Sequence, residues 1–149
     1  MTSDDAVMRI MRRHEGTWRG RYRHIDIDGV LLDEHDTAVE CVFPDEGPYA
    51  YVQRNRFSWP DGREESMEFG GVLRDGMLHW DTDSFTGHAW VTHEDAILLK
   101  LYRKDEPGVT FTEIILLEDG ADHRCRTWHW FRDGTPFQRT LCDEYRVRE

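Results

Sequence analysis

Apolar and polar residues alternate at period two along most of this chain, the spacing of strands that bury one face and solvate the other. The alternation is clearest in Gly16-Thr17-Trp18-Arg19-Gly20-Arg21-Tyr22-Arg23-His24. There Trp18, Gly20, Tyr22 and His24 share one face, and Arg19, Arg21 and Arg23 share the other. The same division returns over 49–59, where Tyr49, Tyr51, Gln53, Asn55, Phe57 and Trp59 alternate with Ala50, Val52, Arg54, Arg56 and Ser58. Further strands are expected over 30–43, 64–73, 77–83, 88–93, 96–104, 109–117, 123–132 and 137–147. In the segment 64–73, Met67, Phe69 and Leu73 share a face. Asp-Gly pairs at 28–29, 61–62, 75–76, 119–120 and 133–134 supply the positive-φ positions that tight hairpins need.

Ahead of these strands, Val7, Ile10, Met11 and His14 recur at helical spacing behind Ser3 and two first-turn acids, Asp4 and Asp5. A short N-terminal helix over about 4–14 follows, with Gly16 ending it. So many hairpin signals and no room for crossover helices predict neighbour-to-neighbour antiparallel pairing. The expected fold is all-β: a single antiparallel up-and-down barrel of about 8–10 strands over 16–147, in one domain spanning 1–149, with the helix docked on one end.

The opening His14-Glu15-Gly16-Thr17-Trp18-Arg19-Gly20, the Asp28-Gly29 turn and the Arg-rich final strands resemble the calycin superfamily of lipocalin-like and fatty-acid-binding-protein-like barrels. More narrowly, they resemble a poorly characterised bacterial lipocalin-like family near the phycobilin lyases. The resemblance implies a barrel around a ligand cavity, with Trp18 at the closed end beneath an arginine from a late strand, Arg139 or Arg146. The chain departs from secreted lipocalins in lacking an export signal and a clear disulfide pair, and it offers no pigment-attachment pattern.

Composition narrows the partners. Thirty acids against nineteen Lys and Arg give a net charge of −11, which repels phosphate backbones and anionic membranes, so neither nucleic acid nor a membrane is an expected partner. The acidic Met1-Thr2-Ser3-Asp4-Asp5 start and the absence of a long apolar run predict a cytoplasmic protein. Cys41, Cys125 and Cys142 are odd in number and widely spaced, and are expected to be reduced core residues. A homodimer is left open.

Candidate chemistry follows from the face assigned to the lumen. Tyr22, His24, Tyr49, Tyr51, Gln53, Asn55, Phe57, Trp59, Met67, Phe69, His88 and Trp90 are candidate lining residues, polar for a fatty-acid carrier. Glu113 shares a face with Phe111, Ile115 and Leu117, where a carboxyl would have a raised pKa, or else it faces water with the opposite parity. His129 shares parity with Cys125, Thr127 and Phe131, opposite the arginines, or else Trp128 and Trp130 are the buried pair. His129, Glu113, His24, Tyr51 and Arg139 are therefore the candidate catalytic groups. His79, Asp81, Asp83 and His88 could be a metal set or a His-Asp pair, but acids beside a turn read first as solvated, so no metal is assigned. The functional expectation is a cofactor-independent lyase or isomerase working by acid–base chemistry on a small hydrophobic, oxygenated aromatic molecule in the lumen. The alternatives are a non-catalytic binding or carrier protein and a barrel with a filled interior.

Overall fold

A computed structural model of the chain describes residues 3–148. Ten strands follow helix α1 (Ser3–Met11) and a 3-10 turn over Arg12–His14: β1 (Gly16–Asp26), β2 (Leu31–Val42), β3 (Tyr51–Ser58), β4 (Glu64–Arg74) and β5 (Met77–Asp81), then β6 (Phe85–Val91), β7 (Ile97–Arg103), β8 (Val109–Leu116), β9 (His123–Arg132) and β10 (Thr135–Arg146). Each strand pairs antiparallel with its sequence neighbour, and β1 also pairs with β10, closing the barrel. Closure leaves no exposed sheet edge. The expected all-β up-and-down barrel is observed, and the turns explain its tightness. Asp75 (φ 54°) with Gly76 (φ 76°), and Asp133 (φ 49°) with Gly134 (φ 82°), each place two successive residues in the left-handed region, as a two-residue hairpin that matches strand twist requires.

Helix α1 packs against the barrel end formed by the β4–β5 and β6–β7 turns, burying Val7, Ile10 and Met11. Asp4 Oδ1 accepts from the Gly76 amide at 2.6 Å, and Arg13 donates to Asp95 at 3.1 Å. A nine-residue helix is marginal alone, so these contacts hold it as a plug. Ser3, expected as its cap, is instead its first residue; the preceding position lies outside the described residues.

Trp18 anchors the closed end with none of its surface exposed, and its Nε1–H donates to the His14 carbonyl at 2.9 Å. The guanidinium carbons of Arg146 and Arg124 stand 4.4 and 4.7 Å from its ring centroid. Of the two expected covers, Arg146 is therefore the one, while Arg139 is exposed on β10. Arg146 also donates to the carbonyls of Arg13 and Glu15, tying the last strand to the turn before β1.

The outward arginines pair across strands: Arg21 with Glu34 at 2.7 Å, and Arg54 with Glu40 and Glu68 at 2.7 and 3.1 Å. Exposed pairs of this kind contribute little to stability, because water and salt screen them. Cys41 and Cys142 are buried thiols, but Cys125 is exposed, which corrects the expectation that all three belong to the core. Among the described residues, no helix is long and apolar enough to cross a membrane.

Candidate functional site

The barrel encloses a cavity of about 870 Å³, closed at one end by α1 and open at the end carrying the β1–β2, β3–β4 and β5–β6 turns. Its two walls differ. Strands β4 to β7 contribute Met67, Phe69, Trp80, Phe85, Ala89, Leu99 and Leu101, an apolar wall. The opposite wall, from β8 through β10 and β1 to β3, sets Glu113, Arg124, Arg126, Gln138, His24, His35, Gln53 and Asn55 among the rings of Tyr22, Phe57, Phe111, Trp128 and Trp130. The lumen is thus amphiphilic along its length.

Its floor holds a charged chain. Arg126 Nε donates to Glu113 Oε2 at 2.7 Å and Arg126 Nη1 to Glu144 Oε2 at 3.2 Å. Arg124 Nε donates to Glu144 Oε1 at 2.7 Å, and its Nη1 lies 3.1 Å from His14 Nδ1. All five side chains are buried. Burying one such charge alone would cost several kcal/mol, but two guanidiniums against two carboxylates compensate one another. Burial raises the pKa of Glu113 despite Arg126 beside it. Burial acts on Glu144 in the same sense, but Arg126 and Arg124 together overcome it and hold Glu144 below the usual carboxylate range. Burial, with Arg124 adding to it, pushes His14 down to about 2, so it is neutral at physiological pH.

A second polar chain runs up β3: Tyr51 Oη donates to Gln53 Oε1 at 2.7 Å, and Gln53 Nε2 to Asn55 Oδ1 at 2.9 Å. Strand alternation puts all three on one face, and burial raises the Tyr51 pKa well above its ordinary value. These neutral groups satisfy one another in part, which answers the cost of lining a lumen with amides.

The mouth is ringed by aromatic groups around a third cluster. His35 Nδ1 lies 2.7 Å from Asp33 Oδ2, Trp59 Nε1 donates to Asp33 at 3.2 Å, and the Trp59 and His35 rings sit 4.3 Å apart. Opposite Asp33 in the β1–β2 register stands His24. Its Nδ1 is 2.7 Å from Thr140 Oγ1, and its ring is 5.4 Å from that of His35. Burial, aided by His35, pushes the His24 pKa down to about 4.

The structure brings Tyr22, His24, Tyr51, Gln53, Asn55, Phe57, Trp59, Met67, Phe69 and Glu113 to the cavity. It does not bring the remaining candidates there. Strand β9 has the opposite parity to the one favoured for His129: Arg124, Arg126 and Trp128 are buried, and His129 is exposed on the outer surface. The reason is ionic, because the two inward arginines have their carboxylate partners on β8 and β10. Arg139 is exposed. Tyr49 precedes β3 and is 45% exposed, its ring lying on Gly70 outside the barrel. His88 and Trp90 stack on the outer wall with ring centroids 5.4 Å apart, since β6 turns its small residues Gly87 and Ala89 inward, where Trp80 occupies the space. His79 and His88 do face each other across β5 and β6, at 6.1 Å, but Asp81 pairs with Lys104 and Asp83 sits at the mouth. The four therefore form no common site.

Sequence reasoning passed over His14, Asp33, His35, Arg124, Arg126 and Glu144. The spacing Asp33-x-His35 was the available signal for the mouth cluster, but the register shift between His24 and Ile25 that sets His24 opposite Asp33 is not readable from the Asp28-Gly29 turn. The floor has no such local signature, because its partners lie on three strands.

No family model matches the chain, and no curated protein matches it. Solved structures do. An S-type phycobiliprotein lyase, CpeS, from Guillardia theta superposes with a TM-score of 0.73 at 15% identity, covering 99% of this chain and 96% of that one. A protein of unknown function from the DUF3598 family of Nostoc punctiforme gives 0.69 at 20% identity, over 92% of this chain and 49% of the other, so the chain spans about half its length. Rv2717c from M. tuberculosis gives 0.59 at 18% identity, over 95% and 97%. What the chain shares with these three is the fold, a closed antiparallel β-barrel.

Proposed function

We propose that this chain is a small-molecule-binding barrel whose ligand is an elongated, ring-bearing hydrophobic compound with oxygen substituents. The observation that carries the reading is the 870 Å³ cavity, in which an apolar wall faces one where amides, imidazoles and charged groups sit among aromatic rings. Its volume falls within the range of about 300–1,000 Å³ common to small-molecule sites. Rings of the ligand would lie along Phe69, Phe85 and Leu99, with oxygens toward Asn55, Gln53 and the Arg126 side. The likeness to a phycobiliprotein lyase suggests the linear tetrapyrroles, or bilins, as the first ligand class to try, since they are conjugated and carry carboxylates.

A second reading, a cofactor-independent lyase or isomerase, is favoured by Glu113. This lumen carboxyl has a pKa raised by burial, as suits a group that gives and takes a proton. The chemistry begins with the ligand bound. The test is to titrate the purified protein with biliverdin and with a panel of smaller oxygenated aromatic compounds, following tryptophan fluorescence, and to analyse each mixture for product. Saturable quenching supports the binding reading. New product that disappears in Glu113→Gln while quenching persists adds the catalytic one. No response to any compound contradicts both.

A further inference from the structure

We propose that His24, Asp33 and His35 form a binding site for a divalent first-row transition-metal ion at the mouth of the cavity. One ligand atom from each of the three lies within 4.8 Å of the others. Two imidazoles and a carboxylate are the donor set that zinc, iron, cobalt and nickel share. Neighbouring strands hold it: His24 on β1 faces Asp33 on β2, and a register shift between His24 and Ile25 turns the strand there. Alternation then returns His35 to the same inward face as Asp33.

The surroundings are those of a prepared site. Thr140 Oγ1 at 2.7 Å and the Gln138 side-chain amide at 3.2 Å both face His24 Nδ1, and the tautomer that carries the proton on Nδ1 leaves the Nε2 lone pair free. Thr140 is itself fixed by Trp130, whose Nε1–H donates to the same oxygen at 2.9 Å. Trp59 Nε1 holds Asp33 at 3.2 Å. Groups that bond the far side of metal ligands in this way set their orientation and tautomer. Three protein ligands leave at least one coordination position free. Because His24 and His35 line the cavity, that position faces the lumen, where an oxygen of a bound molecule could fill it. The inference goes beyond ligand binding: it requires only the three side chains.

The other set with metal-like spacing, His123, Cys125 and Asp143, is exposed on the outside of β9 and β10. It differs in carrying a thiol, with Cys125 Sγ 3.6 Å from Asp143, and this separates the two sites experimentally.

The test is titration of chelator-treated protein with Co(II) alone, read by visible absorption. The mouth site is expected to give a saturable d–d band at one equivalent, with no sulfur-to-cobalt charge transfer. The band should be lost in His24→Ala and in Asp33→Asn, the second nearly isosteric and so retaining the fold. It should persist in Cys125→Ser. Trp59→Phe, which removes the bond to Asp33 and keeps an aromatic ring beside His35, is expected to weaken binding by about tenfold or more. A band that carries thiolate charge transfer and vanishes in Cys125→Ser, a band unchanged in folded Asp33→Asn, or no binding at all would overturn the proposal. None of these outcomes bears on whether an organic ligand enters the lumen, so the two readings fail separately.

Discussion

Arg126 Nε and Glu113 Oε2 meet at 2.7 Å in the floor of the lumen, both side chains all but sealed from solvent. In such a pair the loss of either partner is far more costly than the loss of both, because the survivor is left as an uncompensated buried charge. Glu113→Ala and Arg126→Met are each expected to lower stability by about 3–5 kcal/mol. The double variant should lose clearly less than the sum, since coupled neighbours are not additive. Urea unfolding of the four proteins measures this, and additive losses would mean that the pair is not coupled.

His14 gives the chain a specific acid sensitivity. It is faced by Arg124 from β9, Arg146 from β10, Arg13 beside it and Arg126, and burial with these charges pushes it from 6.5 to about 2. A histidine with a depressed folded pKa contributes its full stability above the unfolded value, and that contribution falls as the unfolded chain takes up the proton. The loss should approach about 1.4 kcal/mol per pH unit below 6.5, reaching about 2 kcal/mol near pH 5. In His14→Gln, whose amide oxygen can still accept from Arg124, the stability difference between about pH 7 and pH 5 should shrink by that amount. An unchanged difference would show that His14 does not titrate on unfolding.

Gly20 should resist substitution although its strand is regular. A Cβ there would meet the Asp143 carbonyl and stand 2.7 Å from Glu144 Cγ, so the close approach of β10 depends on the missing side chain. Gly20→Ala is expected to cost about 1–3 kcal/mol. Gly71→Ala, whose Cβ would find Leu78 at 3.4 Å, should cost much less. Thermal unfolding of the two variants compares them, and equal losses would contradict the packing described.

The barrel was legible because its signals are local. Alternation in 16–24 and 49–59, with Asp-Gly between strands, places Tyr22, His24, Tyr51 and Asn55 on the inner face. The rule that arginines mark the outer face holds for Arg21 and Arg54 and fails on β9. There Arg124 and Arg126 are inside because Glu113 and Glu144, remote in sequence, receive them. A strand read alone cannot reveal an ion pair completed by its neighbours, and His129 was misplaced for that reason. His88 and Trp90 went astray differently: beyond Phe85 the inner face of β6 is made of Gly87 and Ala89, so His88 and Trp90 point outward. Hydrophobic size alone assigns such a strand backwards.

The claim that the lumen holds a ligand is tested most directly by filling it. Ala89 lies on the apolar wall, distant in sequence from every polar group of the opposite wall. Ala89→Trp puts an indole into the cavity without removing any hydrogen bond or ion pair. Binding of biliverdin, measured by its own absorption change at fixed pH, is expected to be saturable at one equivalent in the unmodified protein and weakened at least tenfold in folded Ala89→Trp. Equal affinity in the two proteins would place the ligand outside the barrel and contradict this account.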